Sequence, residues 1–246
     1  MRVGWKSILL ILAVLVVTVY LGVMSVMPRD RDAHQRRCSQ IECYFEDSTA
    51  HRYITARQVE TYLHQAGLNP VGKTMSEINL QAIEDTLRTH PILASAECYM
   101  TIDGHLHIQM TQRTPIVHVM TAAENYFVAT DRELVPAWST IRDTVLEVRG
   151  MLTHEQSCGE VAEFAEWLAQ DTVWRDQVDY LWLPEPHRYT LLLVGDTTQV
   201  LLGDLREYPK QLRRLQRFRE QSDEKLRNIA YRQLDLRFDD QVIGRH

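Results

Sequence analysis

The chain has 246 residues (28.7 kDa), 45% hydrophobic and 24% charged, a composition that excludes a disordered, collagen-like or low-complexity polypeptide. Its net charge of −6 is unevenly placed: residues 1–37 hold six Lys/Arg against Asp30 and Asp32, a local +4, which leaves −10 for residues 38–246. An acidic body argues against general nucleic-acid binding, and four cysteines are too few to staple a miniprotein.

Residues 1–7 form a short tail with Arg2 and Lys6. Ile8 to Met27 is an uncharged apolar run of 20 residues. As a helix it would extend about 30 Å, the hydrocarbon thickness of a bilayer. Trp5 and Tyr20 fall near interfacial depth, and Pro28 with Arg29 ends the run. A cleavable signal peptide would have a shorter apolar core and a small-residue cleavage site, and none follows. The expectation is therefore a transmembrane anchor over 8–27, with the N-terminus cytoplasmic and the remainder outside. Residues 28–40 read as a polar stalk.

A first module spans 41–119. Ile41–Phe45 is a candidate strand. Thr55-x-x-Gln58 has capping-box spacing, Ile54 can staple onto Val59, and Gly67 sits where a helix would end. A second helix starts near Asn79, buries Leu80, Ile83 and Leu87, and stops before His90-Pro91. Then Ala94, Ala96, Cys98, Met100 and Ile102 alternate with polar residues, and after Asp103-Gly104 the alternation resumes at Leu106, Ile108 and Met110. A three-residue loop keeps the apolar face intact by setting Ile102 opposite Leu106 and Met100 opposite Ile108. The order is β-α-α-β-β.

A second module covers 120–246. Tyr126–Ala129 and Leu134–Val135 flank the turn Asp131-Arg132-Glu133 as a hairpin, and Val145–Val148 is a strand. Val161, Phe164, Ala165 and Leu168 mark an amphipathic helix with Glu160, Glu163 and Glu166 outside. Strands follow at Val178–Leu183, Tyr189–Val194 and Gln199–Leu202. Leu205, Tyr208, Leu212, Leu215 and Phe218 mark a second helix, with Pro209 in its first turn. Tyr231–Phe238 reads as a final strand. The fold class is α+β: one membrane helix, a β-α-α-β-β domain, and a mixed sheet with two flanking helices.

The order of these elements resembles the FtsQ/DivIB family of bacterial cell-division proteins. Its POTRA pattern is matched by Ile54-Thr55 with Val59 and Leu63, by Leu87-x-x-His90-Pro91 with Ala96, and by Leu106-x-Ile108-x-Met110-x-x-Arg113-x-Pro115. The stretch Arg113–Ile116 leading to Tyr126 resembles the junction into the family's β domain. Val200-x-Leu202-Gly203 before a helix with Lys210, Leu212 and Leu215, and the ending Leu234-Asp235-Leu236-Arg237-Phe238-Asp239, are similar as well. Two departures are visible: the turn 131–133 lacks the family's common Gly, and Phe238 replaces a usual Tyr. The resemblance implies a single-pass protein of the bacterial inner membrane, at the division septum. It also implies a non-enzymatic divisome scaffold that recruits an FtsB–FtsL-like complex and so regulates septal peptidoglycan synthesis, with FtsW/FtsI-type and FtsK-type proteins as further partners.

The residues themselves offer little chemistry. Gly195 and Gly203 are isolated beside strands, and neither G-x-S-x-G nor H-E-x-x-H occurs. His105-x-His107 could supply two metal ligands, but no third is identifiable, so both read as solvated strand residues. Glu163/Glu166 and Asp239/Asp240 read as solvated faces, and Cys98 as core. Cys38 and Cys43 are close enough to bridge in an oxidising compartment; the alternative packs Cys43 inward and leaves Cys38 free. Lys210, Arg213, Arg214 and Arg217 form a basic helix stripe, either solvated or a docking face for an acidic partner or lipid headgroups. No catalytic, cofactor or metal residue is expected.

The last strand is more suggestive. Leu234, Leu236 and Phe238 point one way, and Gln233, Asp235 and Arg237 the other. At a sheet edge its free backbone groups would offer a template for another chain, although Arg232, Asp235 and Arg237 are charges of the kind that blunt such edges. The resemblance implies that the segment Leu234, Asp235, Leu236, Arg237, Phe238, Asp239, Asp240 and Gln241 receives the partner strand. Two other classes remain. A POTRA-bearing secretion or outer-membrane assembly component would need a membrane barrel. A membrane-anchored hydrolase would need a cleft gathering Asp, His or Ser in the second module.

Overall fold

Among the described residues, two sheets form after the first helix. The computed structural model describes residues 5–26, 37–46, 52–137, 145–221, 231–239 and 241–245, with α1 side chains given over 12–24. Helix α1 (Trp5–Val26) has 22 residues and leaves Leu12, Val16, Val19, Tyr20 and Val23 uncovered. Thr18 Oγ1 bonds to the carbonyls of Val14 (3.0 Å) and Leu15 (2.9 Å) in the preceding turn, so its hydroxyl is satisfied within the helix. Among the described residues no helix is long and apolar enough to cross a membrane. The expected span Ile8–Met27 reaches beyond the described side chains at both ends, and residues 28–36 of the stalk lie outside the described residues.

The smaller sheet has the order β1-β3-β2. Strand β1 (Gln40–Phe45) runs parallel to β3 (His105–Gln112), and β2 (Leu93–Met100) runs antiparallel to it. Helices α2 (Ala56–Gln65) and α3 (Leu80–Arg88) cover one face, giving the β-α-α-β-β order. Local signals set both helices. The Thr55 side chain caps α2, with Gln58 returning the bond to the Thr55 backbone. Gly67 at φ +73° ends it, where Leu68 N–H reaches Leu63 O and Gly67 N–H reaches His64 O, so the orphan carbonyls are paired. Asn79 caps α3. Val59, Leu63, Ile83 and Leu87 bury against Leu106, Ile108 and Met110 of β3. Gln112, on the same inward face, accepts from Tyr53 N–H (2.9 Å) and Ile54 N–H (3.2 Å), which fixes the entry to α2.

The β2–β3 register differs from the expected one. Met100 faces Leu106, Cys98 faces Ile108 and Ala96 faces Met110. The loop does have three residues, but they are 102–104: Thr101 N–H bonds to His105 O and Gly104 N–H to Thr101 O. Gly104 adopts φ +86°, the left-handed position that closes such a loop and that glycine fills at least cost. The shift leaves Ile102 exposed, and a bulge between Leu93 and Ser95 turns Leu93 inward and Ala94 outward. All four cysteines are free thiols, Cys38 being buried as well as unbridged. Burial pushes the Cys43 and Cys98 thiols up to about 11 and about 12, as expected of packed rather than reactive groups.

Among the described residues the larger sheet has nine strands, in the order β12-β11-β10-β9-β8-β7-β4-β5-β6. Its members are β4 (Pro115–Met120), β5 (Asn125–Ala129), β6 (Leu134–Pro136), β7 (Leu146–Gly150), β8 (Val178–Leu183), β9 (Tyr189–Leu193), β10 (Gln199–Gly203), β11 (Gln233–Asp235) and β12 (Ile243–Arg245). Residues 115–119, expected at the end of the first module, pair with β5 and β7 and so belong to this sheet. After β7, the turn α4 (His154–Gln156), a π-turn (Ser157–Val161) and α5 (Ala162–Gln170) return the chain to a parallel β8. After β10, α6 (Tyr208–Gln221) and the following segment return it to a parallel β11. Both helices bury into one core, with Phe164, Ala165, Leu168, Leu212 and Leu215 against Val148, Leu181, Leu191, Val200 and Leu202.

The two sheets meet at the β5–β6 hairpin, whose Phe127, Ala129 and Val135 sit in the core of the smaller domain. Arg113 ties this junction. Its Nη1 donates to the carbonyls of Pro91 (2.9 Å) and Leu93 (2.6 Å), and its Nε to Asp131 (2.8 Å). Arg132, in the turn 131–133 that lacks the family's common Gly, takes φ +67° and spends its guanidinium on Glu166 of α5, at 2.7 and 2.8 Å.

Candidate partner-binding edge

The expected final strand Tyr231–Phe238 is interrupted after three paired residues. Strand β11 ends at Asp235, whose buried carboxylate accepts from Arg237 N–H (3.1 Å), Nε (2.9 Å) and Nη2 (2.6 Å). This two-residue return turns the backbone out of the ladder. The Arg237 stem lies over Gly203, where an added Cβ would come 3.1 Å from Arg237 Cγ. The bond from Arg237 holds the Asp235 carboxyl below its usual range against the cost of burial, with the charge of Arg245 contributing in the same direction.

Leu234 and Leu236 are buried in the core of the larger sheet, and Asp235 is buried with them. None of these three can present its side chain to another protein. Phe238 is 45% exposed; Asp239 and Gln241 are exposed as well, and Asp240 lies outside the described residues. The other border of β11 is occupied. The tail returns as β12, antiparallel, with Asp235 opposite Ile243, Leu234 opposite Gly244 and Gln233 opposite Arg245. The strand that ends the sheet order among the described residues is therefore β12. A three-residue strand with glycine at its centre leaves no alternation to read, which is why sequence reasoning missed it.

Gly244 is there for a steric reason. A Cβ at that position would lie 2.5 Å from Cε1 of Tyr231, whose ring crosses the strand and packs edge-on to Phe218 of α6 at 6.1 Å. Gln211 was missed too, although its position one residue before Leu212 puts it on the apolar side of α6. It is buried, and its Nε2 donates to the carbonyls of Leu202 (2.8 Å) and Leu236 (3.3 Å), joining α6 to the ends of two strands.

Arg214 of the basic stripe donates to the carbonyls of Phe238 and, at 3.3 Å, Gln241. Lys210, Arg213, Arg214 and Arg217 line a groove of about 590 Å³ together with Phe218, Asp239 and Val242. An exposed aromatic, four cations and a short terminal strand thus lie at one border of the sheet.

Two family models match the chain. One, described as a POTRA-like domain, covers residues 36–111. The other, described as FtsQ/DivIB, C-terminal related, covers residues 114–245, more than half of the sequence. The chain belongs to the FtsQ/DivIB family. No curated protein matched it. Membership makes the chain in general terms a cell-division scaffold protein with divisome partners, and implies a membrane-anchored, septal location. The border between the two matches falls at Arg113, the residue that ties the two sheets together.

A hydrolase site would need a nucleophile aligned with a base. Ser157, His154 and Glu124 come together near α4, but Ser157 Oγ is buried and donates to the backbone carbonyl of His154 at 2.8 Å. The His154 ring faces Glu124 instead, at 2.6 Å. Among the described residues this grouping holds a turn rather than a reacting atom.

Proposed function

We propose that this FtsQ/DivIB-family chain is a non-enzymatic scaffold, anchored in the bacterial inner membrane by α1, that recruits an FtsB–FtsL-like complex by strand addition and thereby regulates septal peptidoglycan synthesis. The observation that carries the reading is the end of the nine-stranded sheet at β12, beside exposed Phe238. An extended partner segment laid along β12 would pair with backbone groups that no strand of this chain takes among the described residues. Phe238 and the apolar stems lining the groove would supply selectivity. The segment Leu234–Gln241 contributes through Phe238, Asp239 and Gln241, while Leu234, Asp235 and Leu236 hold the border from within.

The anchor reading rests on the uncharged apolar run Ile8–Met27 of the sequence and on apolar side chains that nothing covers over residues 12–24; the described part of α1 is by itself too short to cross a bilayer. Anchoring restricts the domains to the membrane surface and raises their effective concentration toward membrane-bound partners. The test is co-purification from solubilised membranes. Full-length chain should retain an FtsB–FtsL-like complex, and a chain ending at residue 241 should lose it while remaining membrane-bound. Undiminished recovery with the shortened chain would contradict docking at β12.

A further inference from the structure

The geometry points to a transition-metal site, of the type that takes Zn²⁺, on the outer face of the POTRA-like sheet. Its donors are Glu42 of β1 with His105 and His107 of β3. Parallel pairing sets Glu42 directly opposite His107, and period-two alternation puts His105 on the same outward face. His105 Nδ1 is 2.9 Å from Glu42 Oε1, and His107 Nε2 is 3.6 Å from Glu42 Oε2. One donor atom from each of the three residues lies within 4.8 Å of the others. Zinc binds imidazole nitrogen and carboxylate oxygen at about 2.0–2.2 Å, so these side chains would have to move to close on one ion.

The surroundings are those of a held ligand set. Tyr44 Oη donates to Glu42 Oε2 and Gln40 Nε2 to Glu42 Oε1, both at 2.6 Å. Gln40 Nε2 also lies 3.1 Å from His105 Nδ1. The His107 ring is stacked between Tyr44, at 5.3 Å and 5° between planes, and Tyr99, at 5.0 Å and 17°. Neighbours that orient ligating side chains contribute to affinity as the ligands themselves do. The side chains of Glu42, His105 and His107 are 29, 31 and 16% exposed, shielded yet reachable. Two imidazoles with one carboxylate suit zinc and its neighbours, whereas calcium and magnesium need all-oxygen sets. Three protein donors leave the fourth position to water. A bound ion would clip β1, which continues the chain from the membrane side, to the central strand of the sheet.

The experiment titrates purified full-length chain in detergent with ZnCl₂ against a competing chelator, and with CoCl₂ to read the ligand-field bands of a four-coordinate site. One ion per chain is expected, with a rise in the thermal midpoint on binding. Glu42→Gln, His105→Gln and His107→Ala should each weaken binding at least about tenfold, and Gln40→Ala, which removes a donor to Glu42, by less. His118→Ala, which removes one of the chain's other histidines on the larger sheet, should change nothing. Ion-free thermal midpoints would show whether each variant is folded. Zinc affinity unchanged in all three ligand variants, or no binding by a folded chain, would overturn the site.

Discussion

Leu234 of β11 faces Gly244 of β12 in an antiparallel pair, and this single pairing relocates the border of the nine-stranded sheet. The residues around Leu234 form the wall behind the terminal strand. The strand itself lies ten positions later, where it rests on Tyr231 and is shaped through Arg214.

At Gly244 a single added methyl group would strain the terminal strand. The Cβ of Gly244→Ala would enter the Tyr231 ring, a contact of 2.5 Å that can be relieved only by lifting β12 or turning the ring off Phe218. Overpacking of this kind costs about 1–3 kcal/mol. We expect amides of 243–245 to exchange freely in the variant and partner affinity to fall about tenfold, with the POTRA-like core unchanged. Native affinity with native exchange would show that β12 does not depend on this contact.

Phe238→Ala removes an aromatic that is 45% exposed. Its effect on folding should stay below about 1 kcal/mol, as for other surface positions. Its effect on the partner should be larger, about 2 kcal/mol or thirtyfold, if the ring anchors the incoming chain. A pull-down with unchanged affinity would remove Phe238 from the site.

Asp235 links pH to the integrity of the border. Its native pKa lies below the unfolded value because Arg237 bonds the carboxylate. The stabilisation is therefore complete above about pH 4 and is lost as the pH falls through the depressed native value. Asp235→Asn should cost about 1.5–3 kcal/mol at pH 7, the range for bonds to charged groups. The gap between variant and native chain, measured by urea unfolding, should narrow between pH 5 and pH 3; a gap constant with pH would contradict the pairing.

Arg132 separates strain from pairing. Its backbone is in the left-handed region, at a cost of roughly 1 kcal/mol, while its half-exposed pair with Glu166 returns about 0–1 kcal/mol. Arg132→Gly loses the pair but relieves the strain, so its thermal midpoint should stay near that of the native chain. Arg132→Ala loses the pair and keeps the strain, and should be the less stable of the two. The reverse order would contradict this division.

Much of the POTRA-like domain was legible because its signals are local. The Thr55 cap, the Gly67 terminus and the alternation along β3 each involve a few adjacent residues, and the structure carries them as read. The β2–β3 register was offset because the alternation alone does not say which loop position Gly104 occupies. The final strand was overextended because the return of Arg237 onto Asp235 breaks a pattern that alternation alone would continue. The third donor beside His105 and His107 was hidden for a topological reason. Glu42 is more than sixty residues away in sequence and arrives only through the parallel β1–β3 pairing.

The central claim is that β12 is the strand a partner pairs with. Amide hydrogen exchange on the full-length chain, with and without the FtsB–FtsL-like complex, tests it directly. The account predicts that binding slows exchange across 242–245 by at least about tenfold, with the β6 end of the same sheet unaffected. Exchange there that stays unchanged while the complex is bound would contradict it.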